Sequence, residues 1–268
     1  MAKFVIPPEL LTRRIAVTVV GAGGNGSRML TGLAELDRAM RALGHPGGMK
    51  VTVIDDDLVS ESNIGRQAFF PSDVGIHKAV VLTHRINMSF GLDWTAEPVR
   101  LTRHTRCHSD ILIGAVDSRA ARREIHESMK SNSTPLYLDL GNQADSGQVI
   151  LGEPLNRWQK PEDYPDRLPT ITDLFPEILD TNIPEDNEPS CSMVEALSRQ
   201  ELYINRVVSD FALNMLWRLF RYGEIDHHGA FINLSTGRTM PLAIDPDAWA
   251  RFGYVAPTKK RKQRRRAA

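Results

Sequence analysis

Between residues 51 and 78 the chain reads V-T-V-I-D-D-D-L-V-S-E-S-N-I-G-R-Q-A-F-F-P-S-D-V-G-I-H-K, downstream of a glycine-rich turn, G-A-G-G-N-G, at residues 21–26. The first run sets Asp55 and Asp57, then Asn63, Arg66 and Gln67, then Lys78 within one short stretch. A triphosphate being cleaved needs cations and donors aimed at the oxygens on which charge develops. Arg66 offers a planar fork for phosphate, Lys78 a point charge on a flexible stem, and Asn63 an amide for phosphate or ribose. A domain that only cradles a nicotinamide dinucleotide holds the pyrophosphate largely through backbone amides and has no need of this set. The chemistry indicated is therefore that of ATP rather than hydride transfer.

These side chains must be carried to one place by regular elements. The apolar, β-branched run I-A-V-T-V-V at residues 15–20 predicts a buried strand that stops at Gly21, and Met29, Leu30, Leu33, Leu36 and Met40 recur at helical spacing. In that strand–turn–helix context Gly21 permits the tight turn, Gly23 and Gly24 let phosphate approach the backbone, and Gly26 allows close packing of helix on strand. The helix N-terminus then faces an anion. Asp55 ends a second strand, residues 50–54, where its carboxylate can accept from ribose hydroxyls; Asp56 reads as a solvated turn residue. Asp55 lies 29 residues after Gly26, beyond the usual spacing of about 20, and the excess reads as a lengthened loop over residues 39–49. A third strand over residues 111–116 puts Asp117 at its carboxyl end, where open α/β sheets bind ligands. There it can hold magnesium, cap the helix that follows, or both.

The blocks G-A-G-G-N-G, D-x-D-x-V (55–59), S-N-I-G-R-Q (62–67), G-x-x-K (75–78) and A-V-D-S-R (115–119) occur in this order within the first 150 residues. In that order they resemble the ThiF/MoeB/HesA superfamily, ubiquitin-activating-type enzymes that adenylate the C-terminal glycine of a ubiquitin-like or sulfur-carrier protein. The resemblance implies a Rossmann-like, doubly wound mixed α/β sheet with a crossover loop and a C-terminal helix plus β-hairpin. It implies that Gly24 contacts ATP, that Asp55 holds the ribose, that Asn63, Arg66 and Lys78 engage the phosphates, and that Asp117 sits near Mg2+ and the reacting α-phosphate. Gly21, Gly23, Gly26, Asp57, Gln67 and Ser118 complete the candidate nucleotide-binding set. Gly114 stands where the family often has an acidic residue, and Ser118 where it often has Asn.

The second half is read with the same pattern in view. Residues 136–140 and 148–151 predict two strands joined by 141–147, and residues 152–189, with seven prolines and many acids, cannot form one regular element. In the family a crossover loop in this region passes over the carrier's C-terminal tail; a disordered insertion is the alternative. Ser192 and Glu195 make a capping box, and Leu197, Leu202, Val207, Val208, Phe211, Met215, Leu216, Leu219 and Phe220 mark the apolar face of a long helix. Cys191 would precede that helix, where the dipole favours a thiolate fit to accept an acyl group from an adenylate. A small buried cysteine is the other reading. Residues 229–245 predict a hairpin around S-T-G-R, residues 235–238. This C-terminal portion resembles the ThiF-type protein of the PRTRC cassettes of bacterial mobile elements, which implies a ubiquitin-like protein and a conjugating-enzyme-like protein as partners. The family often supplies an arginine from an N-terminal helix of a dimer mate about 23 residues before the first glycine; here only 20 residues precede Gly21, with Arg13 and Arg14 beside the first strand. That leaves a homodimer open.

Composition sets the frame. The 268 residues, 41% hydrophobic and 25% charged, can bury a substantial core, read as one domain over 1–258 (nucleotide-binding half 1–150, crossover loop 151–190, helix and strands 191–258). Net charge is zero only because residues 259–266 hold seven positive charges; residues 1–258 carry 26 basic against 33 acidic residues, a net of −7. The tail, 259–268, has a disordered composition and could contact nucleic acid or an acidic partner, or simply be solvated. Cys107, near His104 and His108, has no recognisable zinc spacing, and two cysteines in total cannot build paired C-x-x-C motifs, so no structural zinc is expected. Sparse cysteine, no apolar run near the about 18 residues that span a bilayer, and no signal-peptide core predict a cytoplasmic protein without membrane contact. The leading expectation is an adenylating enzyme using ATP and Mg2+, with Arg66, Lys78, Asp117 and Cys191 as catalytic candidates. The alternatives are a nucleotide-binding scaffold without turnover and an NAD-dependent oxidoreductase, for which no hydride-transfer residues are evident.

Overall fold

The computed structural model describes residues 2–185 and 200–258. Its centre is β2 (Ile15–Val20), whose side chains are nearly all buried, as a strand covered on both faces requires. Parallel to it run β3 (Met49–Ile54) and β4 (Thr95–Glu97) on one side, and β5 (Ile111–Gly114) and β6 (Leu136–Asn142) on the other. Antiparallel β7 (Ser146–Gly152), β9 (His227–Asn233) and β10 (Arg238–Ala243) extend the sheet, giving the order β10-β9-β7-β6-β5-β2-β3-β4. Strand order therefore reverses between β2 and β5, the switch point at which a doubly wound sheet opens a ligand crevice at its carboxyl edge. A two-stranded pair of β1 (Phe4–Val5) and β8 (Glu224–Ile225) ties down the N-terminal segment.

The helices alternate with these strands. Helix α1 (Gly24–Ala42) links β2 to β3, α2 (Lys78–Phe90) precedes β4, and α3 (Arg119–Ser131) links β5 to β6. Helix α5 (Ile204–Tyr222) lies against α1, and their N-termini meet: Asn205 abuts Gly24, Ser209 Oγ donates to the Asn25 carbonyl at 3.0 Å, and Leu213 fills the space beside Gly32. Residues 153–185 are largely irregular, as their prolines dictate, with one short α-helix, α4 (Ile171–Leu174), and two 3-10 turns, Pro161–Asp163 and Pro176–Leu179. This segment is packed rather than disordered: Leu168, Ile171 and Leu174 are buried, and Arg167 grips Asp173 with two bonds of 2.8 Å. Phe175 stacks edge-on against Phe231 and Phe252, which joins the segment to β9 and to the turn after α6 (Pro246–Ala250).

Four sequence expectations need correction. Helix α1 continues to Ala42, so residues 39–42 are helical and the loop before β3 is shorter than expected; Met40 is buried on the helix's apolar face. The third strand ends at Gly114 rather than 116, because only Ala115 among the next residues still bonds across to β2, at the Val20 carbonyl. Helix α5 begins at Ile204, so Leu202 lies before it and is exposed; Phe211 also faces solvent. The cap of α3 belongs to Ser118, whose Oγ accepts from Ala121 N–H at 3.2 Å, and not to Asp117. The proposed capping box at Ser192 and Glu195, Cys191 itself, and the basic tail lie outside the described residues.

Candidate functional site

The site is assembled at the carboxyl edge of β2, β3, β5 and β6. Gly21 adopts a positive φ of 91°, and a Cβ there would sit 2.7 Å from the Ala115 carbonyl oxygen, so only glycine makes this turn. A Cβ on Gly26 would lie 1.9 Å from the Gly21 carbonyl oxygen, which is why α1 can start directly beneath the strand end. Gly24 has a different reason: its Cβ would fall 2.5 Å from Asn205 Oδ1. A Cβ on Gly23 meets nothing within 4 Å. The open face of the turn is therefore at Gly23, the N-cap of α1, where no side chain satisfies the helix amides.

Asp55 follows β3 and closes the turn from the side. Its Oδ2 accepts from Ala22 N–H at 2.6 Å and its Oδ1 from Asp57 N–H at 2.9 Å. Burial pushes its pKa up, against the opposing pull of the Ala22 amide and the Lys78 charge. Each oxygen keeps a lone pair for a further donor. Lys78 opens α2 buried, with Nζ 2.8 Å from Asp57 Oδ2 and its N–H bonded to the Asp57 carbonyl at 2.9 Å. Asp57 thus holds the lysine within the site. Asn63 is buried and its Oδ1 accepts from Ser60 N–H at 2.9 Å, so the oxygen shapes the loop and the amide nitrogen is the group suited to an anion.

Arg66 comes from that loop. Burial lowers the pKa of its guanidinium and the nearby Asp117 carboxylate raises it. Its Nη1 donates to Gln200 Oε1 at 3.1 Å, whereas its Nε is buried without a hydrogen-bond partner among the described residues. Gln67 has a buried acceptor, Oε1, also without a hydrogen-bond partner among the described residues. An unpaired buried polar atom costs about 1–3 kcal/mol; the Arg66 Nε–H is a donor suited to an anion, whereas Gln67 Oε1 is an acceptor suited to a donor. Asp117 is exposed in the connection from β5 to α3. Beside it Ser118 Oγ is engaged in its own cap.

Beneath this edge Arg122, on α3, pairs with Asp139 of β6 at 3.3 Å, and Tyr137 Oη donates to the same carboxylate oxygen at 2.8 Å. All three are buried, which locks the first turn of α3 to the sheet. Tyr137 also explains the glycine at 114, since a Cβ there would lie 2.6 Å from its hydroxyl. The long segment after β7 arrives at the same place: both Glu185 carboxylate oxygens accept from Arg119 N–H, at 2.8 and 3.0 Å.

The structure thus gathers Gly21, Gly23, Gly24, Gly26, Asp55, Asp57, Asn63, Arg66, Gln67, Lys78, Asp117 and Ser118 around one edge of the sheet. Arg13 and Arg14 are at the other end, before β2, where Arg13 forms a two-bond pair with Asp110 and Arg14 one with Asp93. Cys107 is buried, which pushes its thiol pKa up. Sequence reasoning missed Asn205, Gln200, Asn25 and Asn142. Asn25 Nδ2 donates to Asn142 Oδ1 at 2.8 Å, bridging the glycine turn to the end of β6.

A family model described as the ThiF family matches residues 10–198. The chain belongs to the ThiF family. Among curated relatives, SUMO-activating enzyme subunit uba-2 of Caenorhabditis elegans is 31% identical over 141 residues, covering 50% of this chain and 22% of the relative. Among solved structures, PaaA and the E. coli MccB solved with succinimide each match with a TM-score of 0.56 over 86% of this chain, at 16% and 14% identity. These two establish the ThiF-type α/β fold and nothing finer. The chain spans 64% of each of those structures and about a fifth of the SUMO-activating subunit. No helix among the described residues is long and apolar enough to cross a membrane.

Proposed function

We propose that this ThiF-family protein activates the C-terminal carboxylate of a ubiquitin-like or sulfur-carrier protein by adenylating it from ATP. The observation that carries the reading is the Arg66 guanidinium, with a buried Nε unpartnered among the described residues, held near Asp117 beside a glycine turn that is open at Gly23. That is an anion site lined by a fixed cation, at the edge where a doubly wound sheet takes its nucleotide. Asp55 presents acceptors for the ribose hydroxyls, and Arg66, Lys78 and Asn63 supply donors for the phosphates.

The donor set also fits magnesium, a hard cation commonly held by one or two carboxylates, waters and substrate phosphates, and Asp117 is the residue to hold it. Bound there, it would neutralise charge on the triphosphate. In the reaction a terminal carboxylate oxygen of the carrier attacks the α-phosphorus. A bond forms from that oxygen to phosphorus, the bond from the α-phosphorus to the bridging oxygen breaks, and pyrophosphate leaves with the electron pair. Arg66 and Lys78 stabilise the leaving group, an electrostatic role that matters most in the transition state.

A second step, transfer of the acyl group to Cys191 with release of AMP, rests on the sequence position of that cysteine. A conjugating-enzyme-like protein would then take the acyl group. Incubation with Mg·ATP and a ubiquitin-like carrier protein with a free C-terminal carboxylate should give a carrier–AMP species by intact-mass spectrometry. If Cys191 is the acceptor, a reduction-sensitive enzyme–carrier adduct also forms and disappears in Cys191→Ala. No carrier–AMP species with Mg·ATP in excess would overturn the adenylation reading, and an adduct persisting in Cys191→Ala would overturn the thioester step alone.

A further inference from the structure

A guanidinium can grip a phosphate side-on only if it presents the edge made by Nε and Nη2, and a mobile arginine presents any edge. In this protein Arg66 has one corner tied. Its Nη1 donates to Gln200 Oε1 at 3.1 Å, and the same oxygen accepts from Asn205 Nδ2 at 3.2 Å. The amide of Gln200 is itself anchored, with Nε2 donating to the Gln143 carbonyl at 3.3 Å, and Glu201 N–H bonds to the Ala144 carbonyl at 2.8 Å. Asn205 is 4% exposed and seated on Gly24, in the space a side chain there would take. The chain Gly24–Asn205–Gln200–Arg66 therefore connects the glycine turn to the guanidinium through side-chain amides. The tie leaves Nε, buried and without a partner among the described residues.

We infer that Gln200 and Asn205 are positioning residues of the nucleotide site, holding Arg66 so that its Nε–Nη2 edge meets the β- or γ-phosphate. The inference rests on the reading of the site as an ATP site. It assigns to the start of α5, far along the chain from the glycine turn, a share in triphosphate recognition. It also gives Gly24 a role: its missing side chain makes room for Asn205. A purely structural role for Gln200 predicts a different pattern, since loss of a surface hydrogen bond would not discriminate between nucleotides that differ only beyond the α-phosphate.

Calorimetric titration of the full chain with Mg·ATP and with AMP tests this in wild type, Gln200→Ala, Arg66→Ala and the double variant. Gln200→Ala should weaken Mg·ATP about tenfold, the scale of a lost hydrogen bond to a charged group, and leave AMP binding unchanged. On the Arg66→Ala background it should do nothing further, because Gln200 acts through Arg66. Asn205→Ser, which shortens the second strut, should weaken Mg·ATP about threefold, again only while Arg66 is present, and covers the case in which Gln200→Ala folds poorly. Additive losses in the double variant, or Mg·ATP binding that falls in Arg66→Ala but not in either amide variant, would overturn the inference alone. A wild-type protein that does not bind Mg·ATP would overturn the functional reading and the inference with it.

Discussion

Replacing Gly23 and Gly26 separately by alanine should divide ligand binding from folding within one turn. A Cβ on Gly26 would lie 1.9 Å from the Gly21 carbonyl oxygen and 2.8 Å from its carbon. Close carbon–oxygen contacts stand at about 3.3 Å, so α1 and the turn must separate by more than about 1 Å. The obstacle is backbone, in a region fixed by Asp55 and by the packing of α5, and overpacking of this kind costs about 1–3 kcal/mol or more. At about 3 kcal/mol the thermal midpoint of a chain this size should fall by about 6–12 °C. A Cβ on Gly23 meets no atom within 4 Å, so Gly23→Ala meets no such clash and should cost less than Gly26→Ala. Its methyl would instead enter the space where phosphate must approach the amides at the start of α1, and Mg·ATP affinity should fall at least about tenfold. Differential scanning calorimetry with and without nucleotide reads both quantities. A folded Gly23→Ala protein that binds Mg·ATP like wild type would refute the placement of phosphate at this turn.

Three further outcomes follow from the same geometry. His228 is fully buried between the Leu151 carbonyl, 2.6 Å from Nδ1, and Trp249 Nε1–H, 2.8 Å from Nε2, and burial lowers its pKa from 6.5 to about 4. The folded state therefore binds fewer protons between these values, so stability is full above pH about 6.5 and falls by about 3 kcal/mol as pH drops to about 4. Urea unfolding should show this loss in wild type and a smaller one in His228→Gln; parallel curves would refute it. Asp139→Ala strands Arg122 in the interior and should cost about 3–5 kcal/mol in the same assay, and a loss below about 1 kcal/mol would contradict the buried pair. Lys78→Met removes a phosphate cation while keeping the stem, so Mg·ATP affinity should drop about tenfold or more with little change in midpoint; unchanged affinity would exclude Lys78 from the site.

Much of this arrangement was legible because its signals are local. Strand β2 is an almost wholly β-branched run that needs no tertiary information to be read, and the positions of Asp55 and Asp117 follow from strand ends, whereas the helix that Lys78 opens carries no reading in the sequence. The hairpin of β9 and β10 was visible from its turn residues. What could not be read depends on contacts between distant segments. Nothing near Gln200 or Asn205 announces that they meet Arg66 and Gly24, since polar side chains at a helix start also serve as caps or solvated surface. The apolar spacing through Leu202 continues the pattern of α5, yet Leu202 is exposed and the helix starts at Ile204, which is fully buried. Gly114, which stands where the family often has an acid, is fixed by the Tyr137 hydroxyl that occupies its side-chain space.

Adenylation at this site is tested by isotope exchange between pyrophosphate and ATP, catalysed by the full chain with a ubiquitin-like carrier protein. Exchange should require Mg2+ and the carrier's free C-terminal carboxylate, and should fall at least about a hundredfold in Asp117→Ala while the protein remains folded. Exchange that is absent with the free-carboxylate carrier, or that proceeds equally with a carrier whose C-terminus is amidated, would contradict adenylation of a carrier tail at this site.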